Sequence, residues 1–179
     1  MSNLAYEIRY TIEDYKHWEG DWELIYGQAV AMAPSPFGPH QAIVSEIIFD
    51  LKSSLQRCDK ECFVYAELDY IVDEETLLRP DILVSCQKIK DFAKKAPELI
   101  AEVLSPSTAI KDKNIKFSIY EAERVLYYMM VDYKLQKVKV YKLQEGAYQK
   151  IAEEIDGVME LNFKGCTLEF HIDRWWRVL

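Results

Sequence analysis

Arg79-Pro80-Asp81-Ile82-Leu83-Val84 is followed by Pro97-Glu98-Leu99-Ile100-Ala101-Glu102-Val103-Leu104-Ser105-Pro106-Ser107-Thr108. Each segment is a short apolar run with a proline just before it and one carboxylate inside it, Asp81 in the first and Glu102 in the second. Apolar runs of this length, bounded by proline, read as strands. The run over 99–104 is apolar except for Glu102, which predicts a central strand buried on both faces. The strand over 81–85 starts directly after Pro80, where proline removes no ladder hydrogen bond. A charge in such a strand is unfavourable unless it has a partner. If the two strands pair antiparallel, the start of the first lies beside the end of the second, and the two carboxylates meet there. Converging hard oxygen donors suit a divalent cation.

Toward the C-terminus, Ser105-Pro106-Ser107-Thr108 leaves the strand and caps a helix running to about Ala122. Asp112, Lys116 and Tyr120 follow one another at one-turn spacing on it. The Asp112 and Lys116 pair has two readings: a surface ion pair, or a lysine delivered to the two carboxylates. Another apolar strand is expected over 125–131, then a turn, then a partner strand from Lys137 with Lys137, Lys139 and Lys142 facing water. Glu145-Gly146 marks a turn, and late strands are expected over 148–151, 158–163 and 168–172. Trp175-Trp176 reads as a cap over the core or as part of a subunit contact.

Toward the N-terminus, 62–72 is rich in β-formers and reads as one strand, with Glu67 and Asp69 on one face. Asp73-Glu74-Glu75 closes it as a charged turn. From 40 to 55 the period changes to helical: Ile43, Val44, Ile47, Ile48, Leu51 and Leu55 form one stripe. His40 projects on that stripe at the first turn, Glu46 projects away, and Asp50 lies at the boundary. His40 is either a helix-start residue bonded locally or a contributor to the site. Pro34, Pro36, Gly38 and Pro39 make a loop. Two short apolar stretches, 22–26 and 28–32, flank Gly27 and read as a β-hairpin. Thr11 caps a short helix through Trp18. The mixed-charge stretch over 88–95 is a short helix or an irregular excursion.

The 179 residues suit one domain over 1–179 with a real core. Half are hydrophobic and 29% charged, an ordinary globular balance. The net charge of -8 argues against strong nonspecific binding to duplex, which needs a clustered basic surface. A local basic site on an acidic body is still allowed. Cys58, Cys62, Cys86 and Cys166 lack zinc-ligand spacing and specify no disulfide framework, so four reduced cysteines are expected. No signal peptide or membrane span is expected, and the cytoplasm is the expected location.

At these residues the chain resembles the PD-(D/E)xK, restriction-endonuclease-like nuclease superfamily, and more closely the bacterial Uma-two family of predicted endonucleases. The resemblance runs from Trp22-Glu23-Leu24-Ile25-Tyr26-Gly27-Gln28 through Met32-Ala33-Pro34-Ser35-Pro36, His40 and Arg79-Pro80-Asp81. It continues through the string over 96–108, then Asp112, Lys116, Tyr120, Arg124-Val125-Leu126-Tyr127-Tyr128 and Val131-Asp132. It implies an α/β (α+β) fold: a mixed central sheet flanked by helices, with an N-terminal β-hairpin and extra C-terminal strands. It implies Asp81 and Glu102 as ligands of Mg²⁺, with Mn²⁺ as a substitute. The superfamily's usual lysine would stand where this chain has Leu104, and the resemblance puts the lysine on the following helix, at Lys116. His40 and Glu67 are accessory candidates. The expected activity is endonucleolytic hydrolysis of nucleic acid, DNA foremost, with water attacking phosphorus and Lys116 assisting. A homodimer is expected on the ground that such enzymes often use two sites. A catalytically inactive nuclease-like fold serving as a binding module is the alternative, motivated by the acidic net charge.

Overall fold

The computed structural model describes residues 8–32, 38–105 and 111–179. The N-terminal residues read for a leader, the prolines at 34 and 36, and Pro106-Ser107-Thr108 lie outside the described residues.

A six-stranded sheet carries the segments that decide the fold. From one edge to the other its strands are Ala147–Glu154 (β10), Lys137–Gln144 (β9), Tyr127–Asp132 (β8), Leu99–Leu104 (β7), Ile82–Ser85 (β6) and Phe63–Ala66 (β3). β7 and β8 are parallel and all other neighbours antiparallel, so the sheet is mixed. β7 is central and every residue of it is buried, as its apolar run predicts.

Alternation splits the core into two layers. Leu99, Ala101 and Val103 face the stripe Ile43, Val44, Ile47, Leu51 and Leu55 of helix α2 (Gly38–Leu55). The hairpin Val158–Phe163 (β11) with Cys166–His171 (β12) and the helix Ile172–Trp176 (α4) close that layer. Ile100 and Leu104 face the opposite layer, with Ile119 and Tyr120 of α3 (Phe117–Ala122) and with Ile25, Tyr70 and Leu78 of a second sheet. That sheet has the order β2-β1-β5-β4, built from Gln28–Ala31, Trp22–Ile25, Thr76–Leu78 and Tyr70–Asp73. Glu102 has the parity of Ile100 and Leu104, so it enters the second layer.

The N-terminal hairpin forms as expected, with Tyr26 (φ 50) and Gly27 (φ 78) both left-handed in its two-residue turn. Thr11 caps α1 (Ile12–Tyr15) in a reciprocal capping box with Asp14.

Several expectations need correction. Gly38 and Pro39 lie in the first turn of α2, where a missing N–H costs no intrahelical bond. The single strand over 62–72 is two strands in different sheets. Glu67 is left-handed (φ 49) between them and donates its N–H to the Asp81 carbonyl at 3.1 Å. Glu67 stays exposed while Asp69 turns inward, so they share no face. The stretch over 88–95 is irregular apart from a bridge between Tyr70 and Ala93. The helix after β7 begins as a π-helical segment, Lys111–Lys116, before α3. The cysteines are paired, Cys58 with Cys166 and Cys62 with Cys86. Linear spacing hid this because the partners meet only through tertiary contact. β3 and β6 pair Phe63 with Ser85, which sets Cys62 beside Cys86.

Trp175 is fully buried and donates its indole N–H to Asp50 at 2.8 Å. It caps the chain's own core, the first of the two roles read for Trp175-Trp176, while Trp176 stays partly exposed. Among the described residues no helix is long and apolar enough to cross a membrane.

Candidate active site

β6 and β7 pair antiparallel, with Ile82 opposite Ala101. One step along this ladder puts Asp81 beside Glu102. The pair is stitched by backbone: the Asp81 N–H donates to Glu102 Oε2 at 3.3 Å, and the Val103 N–H donates to Asp81 Oδ2 at 2.7 Å. Glu102 is buried, whereas the Asp81 side chain keeps 20% of its surface exposed. One carboxylate is therefore anchored in the core and the other keeps partial contact with solvent.

Lys116 reaches this pair from the π segment. Its Nζ lies 2.8 Å from Glu102 Oε1, 2.9 Å from Glu23 Oε1 and 3.5 Å from Asp112 Oδ1. All four side chains are buried. Tyr120, one α-turn on, donates its hydroxyl to Glu102 Oε1 at 3.0 Å. Glu102 Oε1 is thereby committed to Lys116 and Tyr120, and Oε2 faces Asp81. The Asp112 carbonyl accepts from the Tyr128 hydroxyl at 2.9 Å, which fixes the π segment to β8.

Glu23 was not anticipated. It stands on β1, fully buried, and its carboxylate joins Lys116, Lys111 and the Arg79 N–H (3.0 Å). The available signal was of the same kind that singled out Glu102: a charge inside the apolar run Trp22-Glu23-Leu24-Ile25.

Three carboxylates thus crowd one ammonium. Burial would raise the Glu23 carboxyl, but Lys116 and Lys111 outweigh it and hold Glu23 at about 2. Burial would lower the Lys116 ammonium, but Glu102, Glu23 and Asp112 raise it well above the ordinary lysine range, so it stays charged. Burial pushes the Glu102 carboxyl well upward, Lys116 opposes this, and Asp112 and Asp81 add to it. Glu102 is thus the acid whose ionised form burial and its acidic neighbours most oppose, and it is the one beside Asp81.

His40 sits at the first turn of α2 with Nε2 3.3 Å from Asp81 Oδ2. Burial lowers its pKa, but the Asp81 hydrogen bond and charge, the Val103 backbone and the Glu67 charge together raise it. The Glu67 side chain, on the exposed rim, acts on the site through its field at His40. Arg79 points away from the carboxylates: it binds Asp69 (2.6 Å) and Asp21 (2.7 Å) and donates to the Tyr15 hydroxyl (3.2 Å). Its role is to tie α1 and the hairpin beside the site.

Among the described residues no three His, Cys, Asp or Glu side chains form a ready metal cage. Two carboxylates with one open side are instead what Mg²⁺ accepts, because it keeps several waters and uses few protein ligands plus substrate phosphate. The placement of Glu102 Oε2 beside Asp81 of the neighbouring strand fits that ion.

Residues 12–165 match the family model of Uma2, described as "Putative restriction endonuclease". A Synechocystis protein, "Uncharacterized protein sll1609", is 31% identical over 116 residues, covering 62% of each chain. The chain thus spans about three fifths of the length of that curated relative. A crystal structure from Anabaena variabilis, described as "a putative nuclease belonging to DUF820", superposes with a TM-score of 0.75 at 20% identity. It covers 94% of this chain and 98% of that one. This likeness shows that the two chains share one fold, with the mixed sheet and flanking helices expected from the sequence.

Proposed function

The chain belongs to the Uma2 family, and from that premise we propose that it hydrolyses phosphodiester bonds of nucleic acid at the Asp81, Glu102 and Lys116 cluster. The observation that carries this reading is the buried Lys116 ammonium held 2.8 Å from Glu102, with Asp81 next to Glu102 on the neighbouring strand. Asp81 and Glu102 would hold Mg²⁺, or Mn²⁺ in its place. The chemistry that ion supplies when bound is acidification of water and neutralisation of phosphate charge.

The chain's own groups do the positioning. Lys116 stays buried, and its positive charge acts on a phosphate held beside Asp81 and Glu102 and steadies the charge that develops on its oxygens. Glu23 and Asp112 fix the Lys116 ammonium, with Lys111 sharing the Glu23 carboxylate. Tyr120 keeps its proton, because burial and the Glu102 charge raise its pKa well above the ordinary value, and so it stays a donor that fixes Glu102. His40 orients Asp81. DNA is the proposed substrate.

Thermal unfolding with and without metal tests the site. At about a hundredfold excess over Kd, Mg²⁺ or Mn²⁺ should raise the wild-type Tm by about 5–10 °C and leave Glu102→Gln unmoved. Equal stabilisation of both proteins, or none of the wild type, would count against metal at this pair. The second reading, a silent fold that binds a partner, is favoured by the net charge of -8 and would gain from that result.

A further inference from the structure

A cleft of about 340 Å³ lies on the same face of the central sheet as Glu102. Met130 of β8 stands opposite Glu102 on β7 and Lys139 on β9, so the three form one row across the sheet. At the usual strand spacing the Lys139 backbone is about 10 Å from that of Glu102. The next row is Leu104, Asp132 and Lys137. Leu104 and Asp132 end the parallel pair, and ligands of open α/β sheets commonly settle beyond the carboxyl ends of such strands. The π segment separates the cleft from the carboxylates, with Lys116 reaching Glu102 and Lys113 lining the cleft.

Its lining has two kinds of surface. Met130, Phe117 and Tyr141 give an apolar floor and wall, the two rings meeting edge to face at 5.0 Å. Lys113, Lys137 and Lys139 give a basic rim. Lys137 is paired with Glu153 at 3.0 Å, and Lys113 is held only loosely by Asp132 at 3.7 Å, with 46% of its side chain exposed. Among the described residues Lys139 has no carboxylate within ion-pair distance. The strand alternation that puts Lys137 and Lys139 here sends Lys142 to the opposite face of the sheet, over the Tyr127 ring.

Resting on the hydrolytic reading above, we propose that this cleft is a nucleotide subsite. It takes one base and its phosphate from a single-stranded stretch of the nucleic-acid substrate. An apolar slot beside aromatic edges receives a base's flat face, and stacking of this kind tolerates any base. The Lys139 ammonium and the loosely held Lys113 ammonium at the rim receive the adjoining phosphate. A base paired inside a duplex could not enter. On a body with net charge -8, binding must come from this local charge and must weaken steeply with salt.

Fluorescence anisotropy of a labelled single-stranded oligodeoxynucleotide, in chelator and across a salt series, tests the proposal. The proteins are wild type, Asp81→Asn, and the double variant Lys113→Gln/Lys139→Gln, each checked for an unchanged melting curve. The double variant should bind at least tenfold more weakly, and its log–log salt slope should be shallower by about 0.7, the share of the one phosphate the subsite holds. Asp81→Asn should bind as wild type does. Equal affinity and slope in wild type and double variant, or no measurable wild-type affinity at low salt, overturns the subsite. Displacement of the oligonucleotide by adenosine monophosphate at comparable concentration assigns the cleft to free nucleotides and overturns the strand reading. Lysine-dependent binding without cleavage would sink the hydrolytic reading alone. Cleavage with lysine-independent binding would sink the subsite alone.

Discussion

Lys116 is one ammonium among Glu102, Glu23 and Asp112, and the balance around it sets both stability and chemistry. Glu23 makes the sharpest prediction. Its folded pKa of about 2 lies below the ordinary 4.5, so it contributes stability that is fully present above about pH 4.5. That contribution fades as pH falls through the folded value, and its full size is about 3 kcal/mol. Urea unfolding of wild type and Glu23→Gln between pH 3 and 7 should show the wild type losing more stability on acidification. Parallel pH profiles would mean that Glu23 is not held by its lysines. Glu102 was legible because a charge in a six-residue apolar strand demands a partner. Glu23 gave the same kind of signal in a four-residue run next to a glycine turn. Such a run reads as an exposed hairpin, and nothing local says that the hairpin folds over the site.

At the scale of elements, the hairpin is the part that delivers Glu23. β1 pairs Leu24 with Leu77 of β5, and β5 leads directly into Arg79-Pro80-Asp81. Its turn needs Gly27, whose φ of 78° is left-handed and whose added Cβ would meet Arg9 at 3.1 Å. Gly27→Ala should cost about 1–2 kcal/mol by denaturant unfolding. It should also lower cleavage more than an exposed strand substitution such as Gln28→Ala does. If stability falls but cleavage does not, the hairpin is not part of the site's support. The turn, the α2 stripe and the buried β7 were all legible, since each follows from local periodicity or one special residue. The break at Glu67 was not, because a left-handed glutamate has no composition signature. The π winding of Lys111–Lys116 was equally hidden: Asp112 and Lys116 four apart look the same in an ordinary helix.

For the whole molecule, the individual strands followed from their local pattern and the mixed sheet from the family resemblance, whereas the two-layer core, the cross-links and the outer closure did not. Asp50, at the edge of the α2 stripe, accepts from the Trp175 indole and the His171 N–H and pairs with Arg174, so it holds α4 and β12 to α2. Trp175→Ala should cost about 3–5 kcal/mol, seen as a lower urea midpoint. A loss under 1 kcal/mol would show that α4 does not close the core. The acidic body and the local cluster of charge are compatible because the lysines that matter are few and specifically held.

The most direct test is cleavage of supercoiled plasmid, single-stranded DNA and RNA by wild type and Asp81→Asn side by side, with Mg²⁺, Mn²⁺ or chelator. Metal-dependent cleavage of at least one substrate by wild type, reduced at least a hundredfold in Asp81→Asn, is the predicted result. Equal cleavage by both proteins, or none by wild type on any of the three, would contradict the assignment of hydrolysis to this cluster.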